Sequence, residues 1–154
     1  MSNIKIIRET LSKAMFEKVQ TFNSSEDKIV KRVMKQTMNF DIRVFSEYIG
    51  SSESTAVKLK KEELGISDVT FTWSNQTKYD PGRKVFHFEH FNTVKSIILK
   101  CLECKDAKEL ETVLEENIKI AWILKEEDRR LTTLGFRSNR DNPEEAYRNA
   151  GIEI

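Results

Sequence analysis

The chain is short of the residues that break regular structure or staple it from outside. With only 2 Pro and 5 Gly in 154 residues, long irregular loops are few and helices can run. Cys101 and Cys104 are the only cysteines, too few and too close for a secreted disulfide framework, which points to a reducing compartment. No apolar run approaches the ~18 residues that cross a bilayer, because Lys95 and Lys100 bracket the longest, around Ile97 to Leu99. The opening residues, Met1-Ser2-Asn3-Ile4-Lys5-Ile6-Ile7-Arg8, have no continuous apolar stretch followed by a small-residue cleavage site. The expectation is a cytoplasmic chain with no membrane partner. A large excess of one charge is also missing: a net charge of +1 excludes a broadly basic protein.

What is present describes a folded chain. Hydrophobic residues make up 38% and charged residues 33%, far from the disordered class, and the length suits one domain. The expected organisation is a single domain over 1–154, helical over about 1–65 and mixed over about 66–154. The charge is uneven along it. Residues 1–61 carry 12 Lys/Arg against 7 Asp/Glu, and residues 62–154 carry 14 against 18. Any basic surface therefore belongs to the first part.

Ile7, Leu11, Met15, Val19 and Phe22 recur at helical spacing and predict a helix over about 4–22. Ser24-Ser25-Glu26-Asp27 reads as the start of a second, with a capping side chain and two acids at the positive end of the dipole. A short third helix is predicted over 41–49, stopped by Gly50, which tolerates a positive φ, and a fourth over 56–64 after the turn residues 51–55. At 69–73 the period changes: Val69, Phe71 and Trp73 alternate with Thr70 and Thr72, as in a half-buried strand. Asp80-Pro81-Gly82 is a turn signal leading to a second strand over 85–91, and the two strands pair as a long-looped hairpin. Two helices follow on the stripes Val94, Ile97, Ile98, Cys101 and Ala107, Leu110, Leu114. An interior strand over 118–124 and helices over 125–134 and 143–150 complete an α+β fold, with N-terminal helices followed by a small sheet interleaved with helices.

Three segments carry residues suited to chemistry. Residues 45–61 have the outline of a helix-turn-helix, whose second helix would place Lys58, Lys60 and Lys61 on DNA phosphates; the competing reading is two surface helices joined by a turn. Arg83-Lys84-Val85-Phe86-His87-Phe88-Glu89-His90 holds both histidines beside an acid and two cations. A histidine next to a carboxylate can activate water or bind a metal, which makes His87, Glu89 and His90 the catalytic candidates. Arg83, Lys84 and Lys95 are the phosphate-binding candidates. On a strand, His87 and Glu89 share one face and His90 takes the other. Finally, His87-x-x-His90 and Cys101-x-x-Cys104 supply ligand types that zinc accepts. Cys101 falls on the buried stripe of its helix, however, so the cysteines read as core and no metal is expected there.

From Glu89 onward the chain resembles a group of uncharacterised bacterial and prophage-type proteins with an E-H-x-x-P-V-K box. Here the box is Glu89-His90-Phe91-Asn92-Thr93-Val94-Lys95, with Thr93 in the proline position. The likeness continues through residues 121–131, Gly135-Phe136-Arg137 and residues 146–152, less than half of the chain. It implies a bacterial or phage setting and transfers no catalytic residue. The box also resembles the paired-histidine starts of His-metal nucleases, without their downstream Asn and His.

These readings lead to a nucleic-acid-acting protein, a small phage or mobile-element nuclease with its site at 83–95. The alternative is a non-catalytic DNA- or protein-binding regulator or inhibitor that uses the 41–64 helices, and a third is a structural subunit. The expected partners are nucleic acid or another protein, and no cofactor is specified.

Overall fold

The computed structural model describes residues 2–154. In chain order its elements are α1 (Asn3–Ser24), α2 (Lys28–Ser46), β1 (Ser51–Glu53), α3 (Thr55–Glu63), α4 (Gln76–Tyr79), β2 (Phe86–His90), α5 (Val94–Cys101), α6 (Ala107–Asn117), β3 (Ile120–Leu124), α7 (Lys125–Thr133) and α8 (Pro143–Asn149). The fold class is α+β. Two compact units share the chain: residues up to Ile49 with Val94–Ile118, and Gly50–Thr93 with Lys119–Ile154. The division falls at 49/50, 93/94 and 118/119, so a boundary near 65 does not describe it.

The first unit is helical. Asp27 Oδ1 accepts from Ile29 N at 2.7 Å and caps α2. That helix then runs through the expected break at 39–40, because nothing in Asn39-Phe40 interrupts a helix, and it ends at Ser46. Within this unit α1 packs on α2 and α6, and α5 packs on the same two. The contacts enclose Met15, Val19, Met38, Ile42, Phe45, Ile97, Leu110 and Leu114. Cys101 is fully buried with them, and burial pushes its thiol up to about 12. It is a small apolar core residue, in keeping with its place on the stripe.

The second unit is built on a three-stranded sheet of order β1-β3-β2, with β1 parallel and β2 antiparallel to β3. The central strand is buried on both faces. Trp122 packs with Val57, Phe71 and Phe86 on one side, and Ala121 and Ile123 pack with Leu131, Ala146, Tyr147 and Ile152 on the other. Asp80 to Arg83 make the expected turn, closed by Arg83 N donating to Asp80 O at 2.9 Å with Gly82 at φ 73°.

Two expectations fail here for identifiable reasons. Residues 69–73 are not a strand: the Asn75 side chain bonds Thr72 N at 2.8 Å and Thr70 O at 2.9 Å, taking backbone groups that a ladder needs. The helix-turn-helix is absent as well. Gly50 has no positive φ, and the strand β1 stands between α2 and α3, where a turn was expected. Ser54 then caps α3, accepting from Val57 N at 3.2 Å.

Candidate functional site

Strand register sets the site. β2 pairs with β3 so that His87 lies opposite Ile123 and Glu89 opposite Ala121, on the face that carries the Leu131 and Tyr147 cluster. Phe86 and Phe88 take the other face, and Phe88 meets Trp122 edge-on at 5.1 Å between centroids. Burying a carboxylate on the inner face requires partners. Glu89 Oε1 accepts from the Arg140 guanidinium, and its Oε2 lies 2.9 Å from His87 Nε2. Arg140 is anchored in turn by donating to His90 O at 2.8 Å and Phe136 O at 2.6 Å. Burial alone would raise the Glu89 pKa, but the His87 hydrogen bond and the Arg140 charge outweigh it and hold the carboxyl below 4.5.

The other side of the imidazole faces Lys125, whose Nζ lies 3.1 Å from Nδ1. Lysine is a donor only, so Nδ1 holds the lone pair and Nε2 carries the proton toward Glu89. Asp128, in the first turn of α7, lies 3.6 Å from Nε2. With side chains 26% and 29% exposed, His87 and Asp128 are open to solvent, while Glu89 and Arg140 form the enclosed base beneath them.

Among the described residues, His87, Glu89 and Asp128 form one group able to hold a metal ion, with their ligand atoms within 4.8 Å of one another. His87 Nε2 lies 2.9 Å from Glu89 Oε2 and 3.6 Å from Asp128 Oδ1, so an ion there would be held by Nε2 and one carboxylate oxygen of each acid. An ion bound there would need Nε2 unprotonated and the ring proton on Nδ1, so the Lys125 contact at Nδ1 belongs to the tautomer that carries its proton on Nε2.

The remaining sequence candidates go elsewhere. His90 is buried on the opposite face of β2, with its ring edge-on to Phe88, so it does not join His87. Arg83 stacks on Trp73, 3.5 Å from the ring centroid, and donates to Gln76 Oε1 and Trp73 O; it ties down its own loop. Lys84 is exposed beside that turn, and Lys95 belongs to α5 in the helical unit. Sequence reasoning missed Lys125, Asp128 and Arg140. The first two lie in a charged stretch that reads as a solvated helix face, and Arg140 lies in a segment with no periodicity.

Of the three lysines assigned to DNA, Lys58 is exposed and Lys60 pairs with Glu63 at 2.9 Å. Lys61 is buried, bonded to Glu53 at 2.6 Å and to Val69 O, and cannot reach a phosphate. We expect Lys61→Ala to cost roughly 2 kcal/mol of stability, and Lys58→Ala and Lys60→Ala less than about 0.5. Urea denaturation checks this; equal effects at all three positions would contradict the burial of Lys61.

No family model, curated protein or solved structure matches the chain.

Proposed function

We propose that the chain acts on nucleic acid in the cytoplasm, in a bacterial or phage setting, cleaving phosphodiester bonds with His87 as general base. The observation that carries this reading is the imidazole held between a carboxylate and a cation at a solvent-reachable position. A phosphate oxygen draws Lys125 toward itself and frees His87 Nδ1. That nitrogen then takes the proton of the attacking hydroxyl or water as its oxygen bonds to phosphorus; the P–O bond to the leaving oxygen breaks, and that oxygen takes a proton from the imidazolium or from solvent. Glu89, held by Arg140, keeps the ring oriented and stabilises the imidazolium that forms. Lys125 stays beside the phosphate as negative charge builds there.

The test is cleavage of labelled single- and double-stranded RNA and DNA by the wild type and His87→Ala, with and without a chelator. Cutting that survives chelation and disappears in the variant supports the reading as stated. Cutting that requires a divalent ion places the ion on His87, Glu89 and Asp128 in place of the proton. Retention without cutting favours the non-catalytic regulator or inhibitor.

A further inference from the structure

The helical unit carries a groove of about 520 Å³ lined by α2 residues Lys35, Gln36, Asn39, Phe40 and Arg43, and by Lys95 and Leu99 of α5. We propose that this groove binds single-stranded nucleic acid, with phosphates on the three cations and a base stacked on Phe40. It shares a partner class with the His87 reading but none of its residues.

Charge selects an anionic occupant. No acid lines the groove, and Asp41, the one acid of α2, is already held by Lys18 at 2.6 Å. Lys35 and Arg43 are eight positions apart, about 12 Å along the helix, so they can contact more than one phosphate. Arg43 Nε donates to Asn39 Oδ1 at 3.0 Å, which fixes the guanidinium and leaves its two terminal nitrogens without a partner among the described residues. Arginine in that state suits a phosphate.

The apolar surface selects a flat ligand. Phe40 is 67% exposed, an expensive place for a phenyl ring unless something covers it. Of the aliphatic residues in the groove, Ile98 is only 6% exposed, leaving Leu99 as the one with substantial free surface. An acidic amphipathic helix would need a longer row of apolar anchors than one ring and one leucine. A nucleotide strand needs a stacking platform and a basic track, and the amides of Gln36 and Asn39 suit base edges.

The experiment uses the full chain bearing His87→Ala, so that nothing is cut, and follows the fluorescence anisotropy of a labelled oligothymidylate. Phe40→Ala is expected to weaken binding about five- to a hundredfold without changing its salt dependence. The triple variant Lys35→Gln, Arg43→Gln, Lys95→Gln is expected to flatten the slope of log affinity against log salt by about 2 between about 50 and 200 mM. All four side chains lie on the surface, and circular dichroism confirms that the variants fold. No binding at the lower salt, or binding that neither variant alters, overturns the proposal. So does a concentration-dependent dimer that Phe40→Ala dissolves, because a second copy of the chain then fills the groove. Cleavage is not read here, so failure of this test leaves the His87 assay standing, and the converse holds.

Discussion

Arg140→Ala is expected to lower the stability of the protein by about 3–5 kcal/mol, the usual consequence of removing one partner from a buried ion pair. Its side chain is 2% exposed and that of Glu89 is 11% exposed, so water does little to replace the lost guanidinium. The variant leaves the carboxylate, the carbonyl of His90 and the carbonyl of Phe136 each short of a donor. The effect depends on pH with a definite sign. The Glu89 carboxyl is held below 4.5 in the folded state, so its contribution is complete above that value and is lost as pH falls through the folded pKa. The gap between wild type and Arg140→Ala should therefore narrow in acid, as the stranded carboxylate of the variant takes up a proton. Urea melts at neutral pH and below pH 4.5 measure both quantities. A loss under about 1 kcal/mol, or a gap that widens in acid, would mean that the pair does not support the strand.

The second large effect belongs to His87. If it is the base, His87→Ala should reduce phosphodiester cleavage by about 10²- to 10⁴-fold, the usual range for a positioned proton acceptor, and cost about 1–3 kcal/mol of stability because Glu89 Oε2 loses its donor, with circular dichroism showing that the variant still folds. Lys125→Gln should reduce cleavage as well, and its loss should appear partly as weaker substrate binding, since that residue meets the phosphate before the proton moves. Glu89→Gln is the less clean probe because the same carboxylate holds Arg140. A His87→Ala protein that cuts within about twofold of wild type would end the general-base assignment, and a contaminating nuclease would become the first suspect.

Much of the fold was legible wherever a face is buried along one element. The stripe through Met15 and Val19, the alternation in β2 and the apolar run of β3 each encode their own environment. β1 encodes nothing of the kind. Ser51-Ser52-Glu53 is polar and reads as a turn; it becomes a strand because the backbone of residues 120–122 lies beside it. Val69 to Trp73 is the opposite case, a strand pattern whose backbone groups are claimed by Asn75 and by Lys61. The site divides in the same way. His87 and Glu89 are two apart on one strand, so their meeting follows from alternation. Lys125 and Arg140 arrive from 38 and 51 residues away, and only tertiary structure brings them in. Arg83, close in sequence, was the natural guess for the cation, but the turn sends it to Trp73.

The link between Phe91 N and Lys119 O, 2.9 Å long, lies just past the last paired residues of β2 and β3. It closes that ladder where a tight reverse turn would, yet the chain between its ends holds both α5 and α6. For the sheet, those residues are an insertion whose two ends are pinned side by side. Closing such a loop costs only about 0.6 kcal/mol more for each doubling of its length, so the strands are nearly indifferent to what it contains. The insertion point is thus a natural place to graft or excise sequence, and replacing 94–118 with a short hairpin turn is the direct route to a sheet unit made as one continuous piece from Gly50 onward.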